Sequence, residues 1–211
     1  MINSQSCVYI AKGKSEAADE NEFNPRNLHE AIARAISEGW QIAPVSAHSK
    51  FASLTRSCIE APSNEPAQIV RWTIEYPESN WCVATGRDSK LAILEVNHEI
   101  GQESLCELCN DDWEKWTATL QFQDDRSSFL LFRYAGQRLR FLPSQYKGIK
   151  IHAGTLVLLP PSWFVTGNPL DYSDLDAAVL DCPKWVLAPG ESQRNASKVI
   201  PFPTNPLHSI A

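Results

Sequence analysis

The order of the secondary-structure signals constrains this chain more than any other feature: helix and strand alternate early, and a cluster of short strands follows. Asn24-Pro25 marks a helix start, with the proline tolerated in the first turn. Leu28, Ala31, Ile32, Ala35 and Ile36 keep the i, i+3, i+4, i+7, i+8 spacing of one buried stripe, and Gly39 ends that helix. Residues 41–45 read as a strand. A second helix is expected over residues 64–77, with Ile69, Val70 and Ile74 facing one way and Trp72 covering an edge. Residues 81–85 and 91–96 are β-rich runs around the turn Gly86-Arg87-Asp88-Ser89. A helix is expected from 102 to about 116, then strands over 118–122, 129–134, 139–142 and 156–159. This order predicts an α+β (mixed α/β) domain.

Composition sets limits on partners. The 211 residues are 43% hydrophobic, enough for one sizeable core. With 19 Lys+Arg against 25 Asp+Glu, the net charge of -6 gives no bulk attraction to nucleic-acid phosphates, although a local basic groove remains compatible with it. No apolar run approaches the roughly 20 residues of a spanning helix, so no membrane partner is expected. The N-terminus lacks a basic region followed by an apolar stretch, which together with the sparse cysteines predicts a cytoplasmic protein with reduced thiols. Residues 1–23 read as a flexible lead, 24–190 as the folded domain and 191–211 as a proline-containing tail.

The chemistry-bearing feature is the acidic end of the run Leu91-Ala92-Ile93-Leu94-Glu95-Val96-Asn97. Side chains alternate on a strand, so Glu95 and Asn97 share one face and Leu94 and Val96 the other. Oxygen-bearing groups at i and i+2 on a strand end can clamp Mg²⁺ or Mn²⁺ beside a triphosphate, because a hard cation takes oxygen ligands. Taken alone, the pair is better read as polar residues leaving a strand for a loop, since short acidic motifs often arise by chance.

An ordered series of landmarks places this segment in a wider pattern. Gly39-Trp40 leads into Ile42-Ala43-Pro44-Val45. Trp72 precedes Pro77, and Asn80-Trp81-Cys82-Val83-Ala84-Thr85-Gly86 follows. After the run ending at Asn97 come Gly101-Gln102-Glu103-Ser104-Leu105, then Leu158-Leu159-Pro160-Pro161-Ser162 with Gly167 and Tyr172 downstream. Pro183-Lys184-Trp185-Val186-Leu187 closes the series. Together these resemble the N-terminal domain of bifunctional DNA primase/polymerases, a branch of the archaeo-eukaryotic primase superfamily.

The resemblance implies a two-lobed single domain with a central, mostly antiparallel sheet flanked by helices. It also implies template-directed nucleotide addition by an Asp-x-Asp or Asp-x-Glu pair, a third acid before the Pro-Pro-Ser strand, and a nucleotide-binding histidine. Carried over by position, Glu95 and Asn97 form a degenerate acidic pair, with Glu95 as the one carboxylate able to hold a metal. The histidine position falls on Ser128 or Phe129, and the third acid lies around Ile149-Lys150-Ile151, where Lys150 would repel a metal.

The resemblance therefore predicts the primase/polymerase fold with impaired catalysis, retained to bind single-stranded DNA, a nucleotide or replication proteins. Ser128, Lys150, Arg138 and Arg140 are the candidate nucleotide-binding residues; strand alternation puts the two arginines on one face, where they could meet phosphates or merely protect a strand edge. Two alternatives stand beside this reading. One is an active metal-dependent enzyme using Glu95 with unconventional ligands drawn from Asp124, Asp125, Asp171 or Asp174. The other is a protein-interaction module. Cys106 and Cys109 fall at i, i+3 on a helix and read as packing residues, since no second pair completes a zinc site. His98 could add a nitrogen ligand beside Asn97, and Trp40, Trp72 and Trp185 read as core.

Overall fold

The computed structural model describes residues 25–46, 58–109, 113–139, 146–160, 162 and 170–188. The expected lead (1–23), the tail (191–211), Asn24 and Arg140 lie outside the described residues.

Helix α1 (Pro25–Ser37) is followed by β1 (Ile42–Val45), α2 (Pro66–Glu75), β2 (Asn80–Ala84) and β3 (Leu91–Asn97). Next come α3 (Gln102–Cys109), α4 (Trp113–Thr117), β4 (Gln121–Gln123), β5 (Ser127–Arg133), β6 (Ile149–His152), β7 (Leu156–Leu159), β8 (Asp171–Tyr172) and β9 (Leu180–Asp181). The α1 stripe buries Leu28, Ala31, Ile32 and Ala35 as its periodicity requires. The helix stops where Gly39 turns left-handed at φ +71. There Trp40 N–H reaches Ala35 C=O and Gly39 N–H reaches Ile36 C=O, at 2.9 and 3.0 Å, satisfying two carbonyls the helix leaves open.

Helix α2 corrects the sequence reading. Ile69 and Trp72, at i, i+3, are its buried residues, whereas Val70 and Ile74 are 52% and 75% exposed. The expected face included Ile69 but assigned the rest of the stripe to the wrong side. The apolar residues Ala67, Ile69, Val70, Trp72 and Ile74 offer two competing stripes, and the one that carries Ile69 and the wide Trp72 ring is buried.

The α+β class holds, with the antiparallel pairing divided between two sheets. The first has order β1-β2-β7 and the second β6-β3-β5-β4-β8, with β9 joining β5 in parallel. The runs either side of Gly86 therefore belong to different sheets, with a bridge from Gly86 to Leu91 between them. The stretch expected as one helix to about 116 is described as α3 and α4. The strand expected at 118–122 is centred further along, at β4. Of the strand expected at 139–142, only Leu139 is described, bridging to Leu187. Strands β6, β8 and β9 were not anticipated.

β3 is an inner strand of the second sheet, between β6 and β5. Leu91 and Ile93 face a core shared with α1, α2 and the first sheet, while Leu94 and Val96 face a second core with Leu105, Cys109, Leu130 and Phe132. Apolar residues on both faces put β3 between two packed layers. Cys109 belongs to the second core, and neither Cys106 nor Cys109 forms a disulfide. Trp40 and Trp72 are buried in the first core, and Trp185 packs against the second.

Candidate functional site

Glu95 sits two residues beyond Ile93 on the face of β3 that lines the first core, at the point where that face leaves the apolar interior. In register it stands opposite Lys150 of β6 on one side and Phe129 of β5 on the other. Directly opposed residues share a face of the sheet. Glu95, Lys150 and Phe129 are therefore neighbours. His152, opposite Ile93, lies on this face as well.

The carboxylate of Glu95 accepts a hydrogen bond from His152 Nε2 at 2.7 Å, within the range of a charge-assisted bond. Lys150 Nζ approaches the same oxygen, Oε2, at 3.9 Å. The two partners differ in availability: the His152 side chain is 9% exposed and that of Lys150 is 68% exposed. The His152 hydrogen bond, reinforced by the charges of His152 and Lys150, holds the Glu95 carboxyl below its ordinary range against the opposing effect of burial.

His152 is itself tied down. With Nε2 facing Glu95, the other ring nitrogen, Nδ1, lies 3.4 Å from Thr155 Oγ1. Thr155 is locked to the end of β2, because Thr85 Oγ1 donates to Thr155 C=O at 2.8 Å and accepts from Thr155 N–H at 3.1 Å. The short link between β6 and β7 passes from the second sheet to the first. The Glu95–His152–Thr155–Thr85 series thus bridges the two sheets at their junction.

Asn97 is engaged elsewhere. Its Oδ1 accepts the backbone N–H groups of Glu99 and Ile100, both at 3.1 Å, and so shapes the turn that starts α3. Gly101 closes this turn, its N–H donating to Asn97 C=O at 2.9 Å. A Cβ at Gly101 would lie 2.5 Å from Gly148 O and 2.7 Å from Asn97 O, so only glycine allows the backbone segments to approach this closely.

The other sequence candidates are dispersed. Ser128 is opposite Val96, on the face away from Glu95, and its Oγ lies 3.0 Å from His98 Nε2. Phe129, the other residue offered for the histidine position, shares Glu95's face and stacks on Phe122 with ring centroids 4.8 Å apart. Arg138 follows the end of β5 that pairs with Leu91, at the opposite end of β3 from Glu95, and its carbonyl accepts from Ala188 N–H. Asp124 Oδ1 caps the β4–β5 turn by accepting from the N–H groups of Arg126 and Ser127 at 2.8 and 2.6 Å. Asp174 likewise accepts from Asp176 N–H, and Asp171 lies on the outermost strand, β8.

His152 was missed in the sequence, although Ile149-Lys150-Ile151-His152 alternates and so places Lys150 and His152 on one face of a strand. Among the described residues, no three His, Cys, Asp or Glu side chains gather to hold a metal ion. The donor set around Glu95 fits a divalent metal pair poorly, since its carboxylate is engaged by an imidazole N–H and faced by an ammonium.

An α+β domain with two mostly antiparallel sheets, carrying a strand-end carboxylate at their junction, is the class that fold and site define. The family of bifunctional DNA primase/polymerase N-terminal domains matches residues 32–185, and the chain belongs to it. No curated protein matches the sequence. Among the described residues, no helix is long and apolar enough to cross a membrane.

Proposed function

We propose that this domain is a primase/polymerase-family member impaired in nucleotidyl transfer and retained to bind single-stranded nucleic acid or nucleotides, including at replication assemblies. One observation carries the reading: the single acidic side chain at the expected metal position, Glu95, is paired with His152 and Lys150 on its own face. Two-metal phosphoryl transfer needs several carboxylates to balance the charge of the ions. Here an amide and an ammonium stand where the resemblance implies two more acids. Loss of one essential charge-stabilising group commonly costs on the order of 10²–10³ in rate. Two such losses leave little turnover, even allowing for non-additivity.

Primer synthesis and extension on a single-stranded template, with Mg²⁺ and with Mn²⁺, test the impairment. The expected result is no product above a no-enzyme control. Robust product that disappears in Glu95→Ala would establish an active enzyme instead. Binding to a labelled single strand over a salt series tests the retained role, with affinity expected to fall as salt rises. A complete absence of binding to strand and nucleotide would leave only a protein-interaction role.

A further inference from the structure

The poor fit between this site and a divalent metal has a positive side, which rests on the binding role proposed above. The Lys150 ammonium is mostly exposed and stands 3.9 Å from Glu95 Oε2, the outer limit of an ion pair. The Glu95 carboxylate already has a closer partner in His152 at 2.7 Å. Glu95 therefore depends little on Lys150, and an exposed pair at such a distance holds the lysine with little energy. Strand register fixes the Lys150 backbone opposite Glu95, while its ammonium is loosely held and reachable from solvent. It lies on the face that also carries the His152 ring.

We propose that Lys150 makes this a metal-independent phosphate site, with Glu95 acting as an internal competitor for the ammonium. An ammonium is a compact point charge that binds phosphate oxygens without a bridging cation. The titratable groups at the site are Glu95, Lys150 and His152. Phe129 contributes an apolar wall, and Thr155 a hydroxyl behind the imidazole. The consequence is a reversal of sign at Glu95. In a metal-dependent site its carboxylate recruits the cation that holds the phosphate, so its loss weakens binding. In the site proposed here its loss removes a negative charge and frees Lys150, so binding strengthens.

The test uses the full chain in EDTA with two probes, a fluorescent oligodeoxythymidylate and a fluorescent nucleoside triphosphate, which separate phosphodiester from triphosphate as the source of the ligand. Glu95→Gln keeps an acceptor for His152 and should tighten binding about two- to fivefold, the range expected when an exposed ion pair is released. Lys150→Gln should weaken binding and lower the salt slope on the strand by roughly one. Lys90→Gln is the charge-matched control, because Lys90 is exposed and adjoins the opposite end of β3; it should leave both quantities nearly unchanged. Thermal unfolding of each variant confirms that it is folded.

Two results would overturn the inference while leaving the binding role intact: binding that requires Mg²⁺ and weakens in Glu95→Gln, or strand binding whose affinity and salt slope ignore Lys150→Gln. Absence of binding to either probe would overturn both readings.

Discussion

Ser162→Ala is a small substitution from which a large effect is expected. β7 ends at Leu159, and Pro160 and Pro161 follow with no N–H to continue its ladder with β2. The Ser162 hydroxyl takes over, accepting from Trp81 N–H at 2.8 Å and donating to Trp81 C=O at 2.9 Å. Both residues are only 2% exposed, so water does not readily replace the hydroxyl. Alanine would leave a buried donor and a buried acceptor unpaired, at about 1–3 kcal/mol for each group. The two are adjacent and some relaxation is available, so the net expectation is a loss of about 2–4 kcal/mol. Urea unfolding provides the assay. With a slope typical of small domains, about 2 kcal/mol per molar, the midpoint should fall by about 1–2 M at unchanged slope. A shift below about 0.25 M would refute the reasoning, showing that the hydroxyl is not what satisfies the Trp81 backbone.

Three further expectations follow from the same structure. Gly101→Ala would drive a methyl group into the backbone of Gly148 and Asn97, and should cost about 2–3 kcal/mol, read as a lower thermal midpoint; a variant as stable as the parent would contradict the close approach. Ile69→Ala should cost about 3 kcal/mol and Ile74→Ala less than about 0.5, because Ile69 is fully buried and Ile74 is 75% exposed; equal costs would return α2 to the face expected from sequence. Glu95 is held below its ordinary value of 4.5 by His152 and Lys150. Its contribution is therefore present above pH 4.5 and lost as pH falls through the lower folded value. Stability curves of the parent and Glu95→Gln should converge on acidification through that window, and a gap that stays constant would show that the pairing does not stabilise the fold.

Much of the fold can be read from local pattern. The α1 stripe, its glycine stop and the apolar run of β3 depend on residues close in sequence, and each forms where periodicity and backbone freedom place it. The α2 face was harder to read, because a short helix offers two apolar stripes and the packing partner chooses between them. Strand β6 escaped notice since it is short and carries a lysine and a histidine on one face, the composition of a loop. At the site, Glu95 stood out as a strand-end carboxylate, and Lys150 could be placed opposite it only by resemblance.

What the sequence by itself determined is the class of the domain and its family pattern. These follow from residue type and order, which need no third dimension. Tertiary structure alone decided what occupies the Glu95 carboxylate. His152 lies 57 positions away, and strand register together with the link between the two sheets brings its ring to 2.7 Å. The same register turned Ser128 to the far face and left Lys150 exposed. A one-residue slip would exchange these faces, because side chains on a strand alternate with a period of two.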